Sequence, residues 1–157
     1  MMTRLQLAIS NRCKQLANPV VESHKLFRAL EVCAAFPISA GELSIAFVTD
    51  TMIRQIHQDF MGDPTATDVI TFPANAAMES AGEIIVSVDH ACSRADEWGV
   101  SFSGELSLYL VHGWLHLAGY DDRTDTDRFA MRSAEQQALA VLEQACVGNH
   151  FRLNRTG

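Results

Sequence analysis

The sequence predicts an α+β domain: a small mixed sheet of about four strands, covered by helices, with one buried helix at its centre. Three observations predict it. Four short segments alternate or carry β-branched runs, at roughly 5–9, 41–47, 68–72 and 83–88. Helical patterns lie between and after them without a strict strand–helix alternation. The segment at roughly 103–117 is apolar on nearly every side, as a helix packed within the core must be.

The elements follow in order. Residues 5–9 alternate weakly and form a first strand. A helix over roughly 19–36 presents Leu26, Leu30 and Cys33 as its inner stripe, and Pro37 stops it. Gly41 opens a strand in which Leu43, Ile45 and Phe47 alternate with Ser44 and Ala46. Thr49 or Asp50 caps the next helix, whose apolar face is Ile53, Ile56 and Phe60. MGDPTAT is a loop; DVITF and EIIVSV are two strands joined through residues 73–82. Asp89 caps a short helix that Gly99 ends. The buried helix runs from about Ser103 to Leu117, and Gly119 terminates it. A last helix, roughly 125–146, turns Met131, Ala134, Ala138, Val141 and Ala145 inward. Residues 147–157 read as a loose polar tail on a single domain of 157 residues.

Composition excludes several classes. Hydrophobic residues make up 48% and charged residues 20%, which rules out global disorder. The first fifteen residues contain no signal-peptide core, and no apolar run could span a bilayer. A soluble, cytoplasmic protein without membrane partners is expected. Cys13, Cys33, Cys92 and Cys146 form no C-x-x-C pair, so they are expected as reduced, partly buried thiols. The net charge of −7 argues against a generic nucleic-acid coat. It predicts weak, salt-sensitive affinity for naked RNA, or a partner that brings the RNA.

The chemistry is concentrated in VHGWLHLAGYDDRTD, residues 111–125. His112 and His116 are four apart, so both imidazoles leave one side of the helix a turn apart. That is how a helix offers two nitrogen ligands to one metal. Gly119 lets the chain fold back, and Asp121 or Asp122 can then complete three protein ligands. Zinc with three such ligands keeps a fourth position open, as catalytic sites do. Two imidazoles buried by an apolar helix cost free energy unless ligated or hydrogen-bonded, which strengthens the metal reading. Against it stands the commonness of helix-capping acids; the 121–127 run contains four acidic residues before the last helix. Tyr120 and Asp121 are the candidates to orient ligands or water, and Arg123 to attract a phosphate. No nucleotide-cofactor motif is expected.

HGWLHLAGYDD resembles the H-G-x-L-H-L-x-G-Y-D-H signature of the YbeY family of bacterial metal-dependent endoribonucleases. TDVITFP and GEIIVSVDHA resemble further blocks of that family, and Glu105, Met131 and Glu135 fall where it has such residues. The order and spacing hold from about Gly41 to Leu142. The resemblance implies a single α+β domain and one zinc ion held by three histidines. It also implies a single-strand-specific endoribonuclease. Its role would be in maturing the 3′ end of small-subunit ribosomal RNA and in ribosome quality control, with that RNA and subunit as partners. His112 and His116 match the first two ligands.

Two positions depart from the pattern. The third histidine falls at Asp122. Carboxylate oxygen is a competent zinc ligand at similar distance, but tolerates other divalent metals more readily. The family's functional arginine falls at Met61 within IHQDFMG, and methionine cannot hold a phosphate. Arg54, Arg94, Arg123 and Arg128 are the candidate replacements. Two other readings compete with a nuclease. A zinc peptidase of the H-E-x-x-H kind would need a glutamate where Gly113 stands. A ribosome-associated binding factor, with a structural or lost metal and decayed catalysis, is favoured by Met61 and Asp122.

Overall fold

The computed structural model describes residues 5–154. In chain order the elements are β1 (Leu5–Asn11), α1 (Val20–Cys33), β2 (Gly41–Val48), α2 (Asp50–Met61), β3 (Val69–Phe72), β4 (Ser80–Ser87), α3 (Val88–Trp98), α4 (Phe102–Leu117) and α5 (Asp125–Gln144). The four strands make one sheet in the order β1-β2-β4-β3. β1, β2 and β4 run parallel, and β3 returns antiparallel on β4. Parallel neighbours need long crossovers, which α1 supplies between β1 and β2. β3 and β4 need only the short turn at Ala76–Met78. The mixed α+β architecture expected from the sequence is the one observed.

Alternation divides the sheet into two faces. Leu43, Ile45 and Phe47 of β2 and Ile84 and Val86 of β4 enter the main core with residues of α1, α3, α4 and α5. Val48, Ile70 and Ile85 point the other way, where Ile53 of α2 covers them. Both pairings Ile45↔Ile84 and Ala46↔Ile85 follow one register, so a slip of one residue would exchange the faces.

α4 is the central helix. Ser101 caps it by accepting the Gly104 N–H at 3.0 Å. Leu106, Leu110, Val111, Trp114 and Leu115 are fully buried. The Trp114 indole N–H donates to the Phe36 carbonyl at 2.8 Å, and its ring stacks on Phe27. Gly113 faces β4 so closely that a Cβ there would lie 2.7 Å from Ile84 Cγ2. Glycine at 113 is therefore a packing requirement, which also bars the glutamate a zinc peptidase would carry.

Several expectations change in detail. α1 ends at Cys33 rather than near Phe36, because Ala34 turns left-handed (φ 56°) three residues before Pro37. Cys33 is only half-buried; Leu26, Phe27 and Leu30 form the stripe. Phe60 is 68% exposed, because α2 reaches past the edge strand and the ring meets Phe72 edge-on at 5.1 Å. Thr49 caps α2. Ser87, not Asp89, caps α3, accepting the His90 N–H at 3.1 Å. Asp89 instead accepts the Asp50 N–H at 2.8 Å, tying α3 to α2. In α5 Leu142 takes the inward place; Ala145 is exposed.

The expected loose tail is the largest correction. Phe151 is buried in the main core, and Leu153 bridges to Leu16. The Gly148 N–H donates to buried Glu22 at 2.6 Å, and Ser103 and Ser107 both donate to the Gly148 carbonyl. The polar composition of this stretch reflects hydrogen bonds made far away in sequence. Residues 155–157 of the expected tail lie outside the described residues.

Two stability outcomes follow. Gly113→Ala gains roughly 1 kcal/mol of helix propensity but meets fixed Ile84, an overpacking cost of about 1–3 kcal/mol. Urea denaturation should show net destabilisation, relieved in Gly113→Ala/Ile84→Ala relative to the sum of the single changes. Phe151→Ala should cost about 3–5 kcal/mol in the same measurement; a change below 1 kcal/mol would mean a free tail.

Candidate metal centre

The site is built at the C-terminal end of α4 and closed by the loop that follows it. Helical spacing sets His112 and His116 on one side, with ring centroids 4.6 Å apart. The chain then reverses at Gly119, whose φ of 103° disfavours any side chain. The Ala118 and Tyr120 amides donate back to the Trp114 and Leu115 carbonyls, holding the reversal tight. Asp122 is thereby returned over the histidine pair.

The two Nε2 atoms are 3.1 Å apart, and Asp122 Oδ2 lies 3.6 Å from each. A tetrahedral ion with bonds near 2.1 Å separates its ligands by about 3.4 Å. The three donors therefore fit one small divalent ion with only tenths of an ångström of adjustment. All three ligand atoms fall within 4.8 Å of one another.

Glu135, on α5, accepts from His112 Nδ1 at 2.6 Å. A carboxylate acceptor there fixes the proton on Nδ1 and leaves the Nε2 lone pair facing its partners. Burial pulls the His112 pKa down, but the Glu135 hydrogen bond and charge, with Asp68 and Asp122, outweigh it and leave it above the ordinary value. Converging carboxylates thus favour positive charge at this point, which a dication satisfies as a proton does.

The other predicted residues have different places. Asp121 accepts the Asp122 N–H at 2.8 Å and pairs with Arg123 at 3.4 Å, so it shapes the loop. Of the two aspartates, Asp122 is the one that meets the histidines. The Tyr120 ring packs edge-on against Phe36 at 5.9 Å and anchors the loop to the core. Arg123 is 85% exposed on the outer side of that loop. Arg128 donates to the Asp122 carbonyl at 3.2 Å and pairs with Asp125. Met61 is 56% exposed and carries no polar function. Sequence reasoning missed the contact from Glu135. Its signal was an acidic residue one turn after inward-facing Met131, on a face otherwise apolar.

The geometry defines an α+β protein in which one helix and the loop after it bring together a His-His-Asp group that could hold a divalent metal. Residues 4–143 match the family described as Endoribonuclease YbeY, and the chain belongs to that family. It is 33% identical to the Endoribonuclease YbeY of Porphyromonas gingivalis over 126 residues, covering 80% of this chain and 83% of that one. It is 31% identical to that of Chlamydia abortus over 149 residues, covering 89% and 92%. The solution structure of TM1509 from Thermotoga maritima superposes with a TM-score of 0.64 at 26% identity, covering 88% of this chain and 91% of that one.

Glu135→Ala removes no ligand but frees the His112 ring. Chelator-competition titration should show metal affinity lower by about 10–100-fold, with the stoichiometry unchanged.

Proposed function

We propose that this chain is a metal-dependent, single-strand-specific endoribonuclease that matures the 3′ end of small-subunit ribosomal RNA and acts in ribosome quality control. Zinc is the proposed metal, one per chain, with His112, His116 and Asp122 as ligands and another divalent metal as the substitute. Ribosomal RNA and the small subunit are the proposed partners, in the cytoplasm. Among the described residues no helix is long and apolar enough to cross a membrane. The observation that carries the reading is the convergence of three donor atoms within 4.8 Å in a chain of an endoribonuclease family.

A divalent ion in that site supplies Lewis-acid polarisation of a phosphoryl oxygen and activation of water. The protein's residues do the rest. Glu135 sets the tautomer and ring orientation of His112. Trp114 and Leu115 exclude water from the back of the helix. Arg128 and Asp121 hold the backbone of the Asp122 loop, so the third donor stays in place. An anionic third ligand offsets more of the ion's charge than imidazole would, which lowers its acidity as a Lewis acid.

Exposed Met61 favours a second reading, a ribosome-associated binding factor whose metal is structural and whose catalysis has decayed. Elemental analysis and cleavage of single-stranded RNA separate the two. Wild-type protein should carry one metal and cut the RNA. Asp122→Ala should lose the metal, Asp122→His should bind zinc more tightly, and His112→Ala should abolish cleavage. Stoichiometric metal with no cleavage, together with co-sedimentation with small subunits, would support the binding factor instead.

A further inference from the structure

A cleft of about 290 Å³ opens beside the metal centre. Leu108, Tyr109 and His112 of α4 form its floor, with α3 on one side and α5 on the other. His112 and Asp122 line it, so two of the three donors face the cleft.

Its charge is distributed unevenly. Four acids line it, Asp68, Glu105, Asp122 and Glu135; Glu105 is buried and Asp122 faces the two histidines. Glu135 holds His112, and Asp68 accepts the Val69 N–H at 2.8 Å. Arg128 is committed to Asp125 and to the carbonyls of the Asp122 loop. Arg94 and Arg132 have no ion-pair partner among the described residues. Arg94 lies over the Trp98 ring, 4.7 Å from its centroid, and Trp98 is 57% exposed. Two uncommitted guanidinium groups and an open indole therefore share one wall-to-wall cleft with the metal donors.

The structure also discriminates among the candidate cations. Arg54 lines a separate hollow with Thr51 and Gln58 of α2 and Pro64 of the loop that follows. Arg123 lies on the His116 side of the loop and is paired with Asp121. Among the described residues, the α3–α5 side is the one that brings guanidinium groups without an ion-pair partner to the mouth of the site.

We propose that Arg94 and Arg132 bind backbone phosphates, and that Trp98 stacks a base, in a single-stranded RNA track that enters the metal centre between α3 and α5. Planar guanidinium matches a phosphate in two hydrogen bonds. Indole stacking accepts any unpaired base, and a base in a duplex is not available to it. With a net charge of −7, the protein meets RNA through particular cationic groups rather than a general positive surface, and Arg94 and Arg132 are such groups beside the chemistry. The track replaces from α3 and α5 the cation that Met61 cannot provide from α2. The inference rests on the endoribonuclease reading.

The test is fluorescence anisotropy of metal-loaded protein with a phosphorothioate-protected single-stranded oligouridylate across a salt series. Arg94→Ala/Arg132→Ala should reduce the slope of log Kd against log salt by about 1.4, near 0.7 for each lost phosphate contact. Arg94→Lys/Arg132→Lys should restore it. Trp98→Ala should weaken binding roughly tenfold, and Trp98→Phe much less. Arg54→Ala, on the other face, should leave the slope as in wild type. Metal content and urea midpoint should not change in any of these. If wild-type protein cuts RNA but the double alanine variant keeps the wild-type slope and affinity, the track is wrong and the nuclease reading stands. If wild-type protein neither cuts nor binds the RNA, both fall.

Discussion

Gly113 brings the backbone of α4 against Ile84, in a space with no room for a side chain. Everything at the site depends on that approach. It sets the depth of the helix in the core, and with it the direction of the side that carries His112 and His116. The same helix is clamped by Trp114, whose ring stacks on Phe27 and whose N–H reaches Phe36. A helix held this firmly cannot rotate to relieve crowding between two imidazoles. Their Nε2 atoms are held 3.1 Å apart, a separation at which one ring N–H can donate to the other nitrogen or both nitrogens can face one ion.

The charges around the pair are arranged to the same end. Glu135 arrives from α5, Asp122 from the loop after α4, and Asp68 from the entry to β3. None is adjacent in sequence to the others, yet all bear on His112. Asp122 brings a carboxylate to the pair where the resembling signature has imidazole. Replacing imidazole by carboxylate keeps the bond length and alters the charge, so the geometry survives while the metal preference and Lewis acidity shift. Met61 stands exposed at the end of α2, whose buried Ile53 covers the sheet face opposite the main core. Arg94 of α3 and Arg128 and Arg132 of α5 line the cleft beside the site.

Much of this was legible in local patterns. Period-two alternation in β2 and β4 and the all-round apolarity of α4 report burial directly, because burial selects side chains one position at a time. The histidine spacing and the Gly119 reversal are equally local. The misread features share one property. Phe60 looks buried by its helical face, but the sheet is too narrow to cover it. Residues 147–154 look loose by composition, but their polar groups are satisfied by Glu22, Ser103 and Ser107. Asp89 looks like a cap, but Ser87, two residues earlier, takes that place and leaves Asp89 to join α2.

The amino-acid order alone determined the α+β class, the buried helix, the two histidines on one side of it and an aspartate within reach. Those follow from helical and strand periods and from glycine's freedom at a reversal, which act over a few residues. Only the tertiary structure decided that Asp122 rather than Asp121 meets the pair. It also decided that Glu135 orients His112, that the end of the chain is part of the core, and that Arg94, Arg132 and Trp98 line the approach. These depend on where separate helices dock, and docking is set by the packing of surfaces distant in sequence, which no local pattern encodes.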